Sequence, residues 1–73
     1  MGKRKYRITS QLRTLRFMNG EMTQQELADK LGVTRQTIAA IEKEKYSPSL
    51  ELAFLIAEEF NTKVDDVFGF MKM

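Results

Sequence analysis

The chain has 73 residues, of which 12 are lysine or arginine and 10 are aspartate or glutamate, and its net charge is +2. It contains no cysteine and no histidine, which excludes disulfides, thiol catalysis and cysteine-ligated metal and removes the commonest metal ligand and general base. We therefore expect one small domain that is not an enzyme and uses no cofactor and no metal. No apolar run approaches the roughly 18 residues of a membrane span, and the basic N-terminus lacks the apolar core of a signal peptide, so we expect a cytoplasmic protein.

Charge is distributed unevenly along the chain. Residues 1–16 carry six cations and no acid, whereas residues 49–68 carry five acids and one cation. One part of the molecule is therefore suited to anions and the other is not. Residues 1–7, which include Lys3, Arg4 and Lys5, lack periodicity and are predicted to be a flexible basic arm. The sequence leaves open whether this arm is only solvated or contacts phosphate or a minor groove.

The first helix is predicted from about residue 8 to residue 18, because Ile8, Leu12 and Leu15 recur on one face of a helical period. An Asn-Gly pair then ends it. In the connection that follows, Met22 is expected to contribute to the core.

The stretch from Thr23 to Glu42 has the pattern of two short amphipathic helices separated by one glycine. Thr23 and Glu26 have the spacing of a capping box, in which each side chain accepts a hydrogen bond from the backbone N–H of the other residue. Gly32 offers the left-handed conformation that ends helices, and Thr34 can cap the second helix. Apolar residues recur on one face of each helix, namely Leu27, Ala28 and Leu31, then Ile38 and Ile41. From the residues alone, this pattern fits a helix-turn-helix and a plain helical hairpin about equally well.

A fourth helix is predicted from a cap at Ser49 to about Phe60, and a last short helix spans about residues 64–68. One face of the fourth helix is formed by Leu50, Ala53, Ala57 and Phe60. The fourth helix is apolar around most of its circumference, which predicts burial on two sides. Residues 69–73 form an apolar tail that a monomer of this size would struggle to cover. These features predict a homodimer built from the fourth helix and the chain end. Its candidate interface residues are Phe54, Leu55, Val67, Phe68, Phe70 and Met71. The alternative is that the tail folds back over its own core.

The helical pair, extended through residues 46–50, resembles the helix-turn-helix regulators of the Cro and phage-repressor (XRE-like) type. The matching residues are Thr23-Gln24, Glu26-Leu27-Ala28, residues 31–38, Ile41-Glu42 and Pro48-Ser49. The resemblance covers about residues 10–68. It implies an all-α, compact five-helix DNA-binding domain over residues 8–68, between the arm and the tail. It also implies a transcriptional regulator, more specifically a repressor, that binds near-palindromic double-stranded DNA as a homodimer.

The resemblance also implies which residues contact DNA. The third helix would enter the major groove by its N-terminal end, where the guanidinium of Arg35 matches guanine O6 and N7 and the amide of Gln36 matches adenine N6 and N7. The residues expected to contact bases are Thr34, Arg35, Gln36, Thr37 and Ala40. Those expected to contact phosphate are Thr23, Gln24, Lys43 and Lys45. The alternative for the polar side chains is an ordinary solvated helix face.

The resemblance also bears on one ion pair and on one turn of the backbone. Arg16 of the first helix would pair with Glu42 at the end of the third helix and fix their geometry. At Glu44 the chain departs from the family, whose members usually carry a glycine there to supply a left-handed turn. We therefore expect either a strained turn or a longer helix at that point.

Two other classes of function are weighed against DNA binding. A protein-interaction module, such as an antitoxin, would neutralise a partner through the apolar C-terminal surface. RNA binding is disfavoured because the sequence has no run of exposed aromatic residues to stack on bases. No separate domain for a small-molecule ligand is expected.

Overall fold

A computed structural model describes residues 5–72, which form five helices and one two-stranded sheet. In chain order the elements are β1 (Tyr6–Ser10), α1 (Leu12–Met18), α2 (Gln24–Leu31), α3 (Arg35–Glu42), α4 (Leu50–Glu59), α5 (Val64–Val67) and β2 (Phe68–Lys72). The five predicted helices are confirmed. The prediction of an all-α fold is wrong, because the first and last elements are strands. Between residues 5 and 72, none of the helices has the length and apolar character needed to cross a membrane.

The two strands pair antiparallel along their whole length, from Tyr6 opposite Lys72 to Ser10 opposite Phe68. We call β1 and β2 together the β-ribbon. Tyr6 and Arg7, predicted to belong to a flexible arm, lie in this ribbon, whereas Lys3 and Arg4 fall outside the described residues. The apolar tail therefore pairs with the N-terminal segment of its own chain.

The helical period predicts that α1 starts near Ile8, but the helix begins at Leu12. Residues 6–10 instead pair with β2, and the N–H of Gln11 donates to the carbonyl of Val67 at 2.8 Å. Ile8 lies four residues before Leu12, which is compatible with a helix. However, a short apolar run fits either structure, and β-branched residues such as Ile8 and Thr9 favour strands.

The core lies among the five helices. Its largest fully buried side chains are Leu12, Leu27, Ile38, Ile41, Ile56 and Val67. Met22 packs against this core, as predicted. Val67 cannot belong to a dimer interface, because it is completely buried in its own chain, and Phe68 is half-buried against the same core. Of the residues predicted to share one face of α4, Ala53, Ala57 and Phe60 are buried, whereas 73% of Leu50 is exposed.

The predicted helix ends of the central pair are confirmed. The hydroxyl of Thr23 accepts a hydrogen bond from the N–H of Glu26 at 3.0 Å, and the carboxylate of Glu26 accepts one from the N–H of Thr23 at 2.8 Å. The bond from the N–H of Thr23 to the carboxylate holds the pKa of Glu26 below its usual value, because it stabilises the charged form. Gly32 ends α2 with a φ of 71°, and the hydroxyl of Thr34 caps α3.

Candidate nucleic-acid interface

Helix α3 packs on α2 by one face and leaves the other in solvent. Ile38 and Ile41 are buried in the same core cluster as Leu27 and Ala28. Because Ala28 has only a methyl group, the backbones of the two helices can approach closely. A helix of eight residues is marginal alone, so this packing is what holds α3 in a fixed position.

The first turn of α3 exposes the two side chains predicted to read bases. Arg35 and Gln36 are both exposed at the N-terminal end of the helix. The neighbouring Thr34 accepts a hydrogen bond from the N–H of Thr37 at 3.2 Å, and the two hydroxyl oxygens lie 3.0 Å apart. Thr34 therefore has a structural role at the cap besides its predicted contact with DNA. Ala40 is half-buried further along the helix.

An ion pair joins α1 to the end of α3. Two guanidinium nitrogens of Arg16 donate to the two carboxylate oxygens of Glu42, at 2.5 and 3.0 Å, and a third donates to the carbonyl of Met22 at 2.7 Å. The two side chains are only 14% and 8% exposed. These are the residues that the family resemblance pairs. A bidentate, largely dry pair of this kind fixes the position of one helix relative to the other.

Gln24 connects this ion pair to the exposed end of α3. Its amide nitrogen donates to Glu42 at 3.0 Å, and its amide oxygen accepts from Arg35 at 3.4 Å. An amide nitrogen carries two hydrogens, so one remains for a phosphate oxygen. Gln24 thus lies where a phosphate contact is predicted, and it also restrains Arg35.

A concavity of about 340 Å³ lies beside Gln24, among α1, α2 and α3. Two exposed cations, Arg13 and Lys43, line it together with the Arg16–Glu42 pair. Arg13 was not among the predicted site residues. Its spacing of three residues from Arg16 was the available signal, since residues three apart share a face of a helix.

Of the remaining predicted phosphate contacts, Lys43 lines this concavity, whereas Thr23 and Lys45 do not. Lys43 follows the last residue of α3, and Lys45 is exposed in the turn beyond it. Thr23 is exposed at the start of α2, where its hydroxyl is engaged in the capping box. The structure therefore brings Arg13, Gln24 and Lys43 together, whereas Lys45 stands apart.

The turn after α3 is strained, as expected from the absence of glycine. Glu44 has a φ of 61°, in the left-handed region that side chains with a Cβ rarely adopt. Its carboxylate accepts a hydrogen bond from the N–H of Ser10 at 3.0 Å. The side chain of Glu44 thus ties this turn to the β-ribbon, which glycine could not do.

Four of the residues predicted to form the dimer interface are exposed, two in α4 and two in β2. Phe54 is 60% exposed and Phe70 is 62% exposed, and Leu55 and Met71 are each 47% exposed. The ring of Phe70 stacks on that of Tyr6 with centroids 4.9 Å apart. These apolar side chains remain without a covering element among the described residues.

Two short capped helices, packed through small and branched residues with the second helix exposed at its start, define the helix-turn-helix class of DNA-binding proteins. Comparison with known proteins agrees. A family model described as helix-turn-helix matches residues 12–67, from the first residue of α1 to the last of α5. The match thus leaves out both strands of the β-ribbon.

Relatives identified by sequence belong to the same class, and a solved structure has the same fold. The chain is 51% identical over 63 residues to an uncharacterized HTH-type transcriptional regulator of Archaeoglobus fulgidus, which covers 86% of this chain and 89% of that protein. It is 64% identical over 47 residues to one of Methanocaldococcus jannaschii, covering 64% of this chain and 71% of that protein. The crystal structure of the transcriptional regulator VanUg has the same fold, with a TM-score of 0.76 and 20% identity over 100% of this chain and 96% of that one.

The chain belongs to the helix-turn-helix family. It is a transcriptional regulator with a helix-turn-helix DNA-binding domain, and the proteins of this class are not enzymes. The resemblance found in the sequence is thereby confirmed.

Proposed function

We propose that this protein binds a near-palindromic operator in double-stranded DNA as a homodimer and represses transcription in the cytoplasm. The observation that carries the proposal is the exposed pair Arg35 and Gln36 at the start of α3, beside a cationic concavity. A guanidinium and an amide at this position have the donors and acceptors needed to distinguish bases in a major groove. Cations beside them supply the affinity for the phosphate backbone.

The site residues divide into two groups with different tasks. Arg35 and Gln36 read bases in this proposal, and Thr34, Thr37 and Ala40 contribute contacts around them. Phosphate oxygens are bound by Thr23, Gln24, Lys43 and Lys45, to which the structure suggests adding Arg13. Phosphate contacts set the position and orientation of the domain on the duplex, whereas base contacts determine the sequence that is bound.

Dimerisation is supported by the exposed apolar residues of α4 and the β-ribbon. Phe54, Leu55 and Phe70 would be covered by a second copy, whereas Met71 lies on the opposite face of the ribbon from Phe70. A two-fold dimer presents two recognition helices to one side of the duplex, so its operator has two matching half-sites. The resemblance to regulators of the phage-repressor type favours repression over activation.

The proposal is tested at its base-reading residues. We expect Arg35→Ala and Gln36→Ala each to weaken binding to the selected operator by about 1 to 3 kcal/mol and to relax the preference at one base position per half-site. Sequences selected from random duplex DNA would supply the operator, and titrations on that operator and on random DNA would supply the affinities. Lys63→Ala is the control, because it also removes a side chain from an exposed helix start, at the cap of α5. Equal losses on both DNAs would contradict base reading and indicate phosphate contacts.

An alternative is an antitoxin or other interaction module that uses the apolar surface of α4 and β2. The exposure of Phe54 and Phe70 is the observation that favours it. Purification of the protein in a fixed ratio with a second protein, together with no selection of any DNA sequence, would support this alternative over DNA binding.

A further inference from the structure

We propose that the dimer is held by reciprocal packing of the β-ribbon of one copy on helix α4 of the other, with Lys72 of the ribbon facing Glu51 and Glu58 of the helix. The inference rests on the homodimer proposed above and specifies how it is built. The alternative arrangement packs α4 of one copy on α4 of the other. The distribution of charge on the two elements distinguishes these arrangements.

The exposed face of α4 has acids at its centre and apolar side chains on both flanks. Glu51, Phe54 and Glu58 are exposed, as are Leu50 and Leu55. Each residue turns a helix by about 100°. On that spacing Glu51 and Glu58 project almost in line, Leu50 and Phe54 lie to one side of them and Leu55 to the other. Any partner that covers the apolar flanks must also lie over the two carboxylates.

Packing α4 on a second α4 would place these carboxylates against their own copies. Four like charges would then meet near the two-fold axis in a partly dry contact, which is unfavourable. A cationic element that also carries apolar side chains has no such penalty. The acids of α4 therefore favour a different element of the second copy.

The β-ribbon is that element. One face of its outer part carries Tyr6 opposite Lys72 and, two residues further in, Ile8 opposite Phe70. Tyr6, Phe70 and Lys72 are exposed, and the two rings stack. This face offers an apolar pair beside a cation. The opposite face at the same level carries Arg7 and Met71.

The charges of both elements lack partners within the described part of the chain. Between residues 5 and 72, the ion pairs shorter than 4.0 Å are Arg16–Glu42 and Lys30–Glu59. Neither Glu51 nor Glu58 is paired there, and neither is Lys72. All three are thus available for contacts with another molecule.

The ribbon also needs a covering surface for its own stability. A two-stranded ribbon is at best marginally stable by itself in water. Its inner end packs on the core through Phe68 and adjoins an apolar groove of about 370 Å³ that includes Ile8, Pro48 and Leu50. The outer end, with Tyr6 and Phe70, extends from the body of a molecule measuring 39 × 21 × 20 Å. A second copy that covers this end stabilises the ribbon while the ribbon covers α4.

Sedimentation equilibrium at several salt concentrations tests the arrangement in the unmodified protein. Opposite charges across the interface are screened by salt, so we expect the dimer dissociation constant to rise with ionic strength. Repelling acids across an α4–α4 interface would give the opposite trend. A dissociation constant that falls with salt would overturn the ribbon-to-helix packing.

Charge variants also test the arrangement, because the two kinds of packing predict opposite changes in dimer affinity. We expect the double variant Glu51→Gln/Glu58→Gln to weaken the dimer about tenfold at low salt, because it removes the attraction to the ribbon. It would strengthen an α4–α4 dimer.

Lys72→Glu should weaken the dimer similarly and should be rescued by Glu58→Lys. Arg7→Glu, the same change on the other face of the ribbon, should have a smaller effect. Equal effects of Lys72→Glu and Arg7→Glu, without rescue, would contradict the proposal.

Cross-linking supplies a structural readout that does not depend on affinity. The chain has no cysteine, so single cysteines can be introduced without background. We expect a mixture of Phe54→Cys and Phe70→Cys proteins to form the mixed disulfide under mild oxidation, in preference to either self-linked dimer. Preferential self-linking of Phe54→Cys would overturn the proposal in favour of α4–α4 packing.

A protein that is monomeric at every salt concentration would overturn the homodimer itself. If such a monomer still selected single half-sites, the proposal that the protein reads DNA would remain intact.

Discussion

Glu42 accepts hydrogen bonds from two side chains at once, and these contacts help to hold α3 in position. Its carboxylate accepts hydrogen bonds from Arg16 and Gln24, and Gln24 in turn contacts Arg35. The chain of contacts runs from the packed interior of the domain to the side chain proposed to read a base. In the proposed mode of DNA binding, Glu42 would therefore act by holding Gln24 and α3 in position.

We expect Glu42→Ala to lower the free energy of unfolding by about 3 kcal/mol, because it leaves the guanidinium of Arg16 without its partner in a largely dry site. Glu59→Ala is the matched control. It breaks the Lys30–Glu59 pair, which spans 3.8 Å between side chains that are 51% and 27% exposed, and should cost less than about 1 kcal/mol. Urea denaturation measures both. Unchanged stability with a large loss of DNA affinity would instead assign Glu42 to direct DNA contact.

Glu44 combines a backbone strain with a compensating side-chain contact. Glu44→Ala keeps the left-handed φ but removes the hydrogen bond to Ser10, and should cost about 1 kcal/mol. Glu44→Gly removes the same bond but relieves the Cβ strain, which is worth about 1 kcal/mol. We therefore expect the glycine variant to be more stable than the alanine variant in thermal unfolding. Equal melting temperatures would show that the turn stores little strain.

Among the elements, the β-ribbon depends on one close approach between its strands. A Cβ added at Gly69 would lie 2.5 Å from the hydroxyl oxygen of Thr9 but 3.9 Å from its Cβ. Glycine is therefore favoured at position 69 because Thr9, its partner on the opposite strand, leaves little room for a Cβ. A positive φ is not the reason.

We expect Gly69→Ala to destabilise the protein by about 1 to 3 kcal/mol, because the new methyl group would meet the hydroxyl of Thr9, whose β-branched side chain is restricted in χ1. In a Thr9→Ala background the same change should cost much less, since the obstructing oxygen is gone. A double-mutant cycle by thermal unfolding measures this coupling. Additive effects of the two substitutions would contradict the clash.

At the scale of the whole molecule, the proposed dimer fixes the spacing of its DNA contacts. Two copies related by a two-fold axis present their α3 helices to the same side of the duplex. We expect half-sites whose centres are about 10 to 10.5 base pairs apart, or a multiple of that distance. Sequences selected from random duplex DNA and footprinting of the bound region measure the spacing. Direct repeats, in place of inverted ones, would be incompatible with a two-fold dimer.

The sequence by itself determined the helix-turn-helix and its ends. The capping box of Thr23 and Glu26, the left-handed Gly32 and the cap at Thr34 each involve residues within three positions of one another or a single backbone conformation. Such local hydrogen bonds are legible from residue type and spacing. The exposed places of Arg35 and Gln36 followed from the same pattern, because the apolar residues of α3 set which face is buried.

Only the tertiary structure decided the start of α1, the existence of the β-ribbon and the positions of Leu50 and Val67. The strands pair residues more than 50 positions apart, and nothing in the local period of Ile8 and Leu12 distinguishes that pairing from one more helical turn. The link from Glu42 through Gln24 to Arg35, and the place of Arg13 beside it, likewise depend on how three helices meet. Local sequence specifies which side chains an element presents, but the neighbours they contact are set by packing between distant segments.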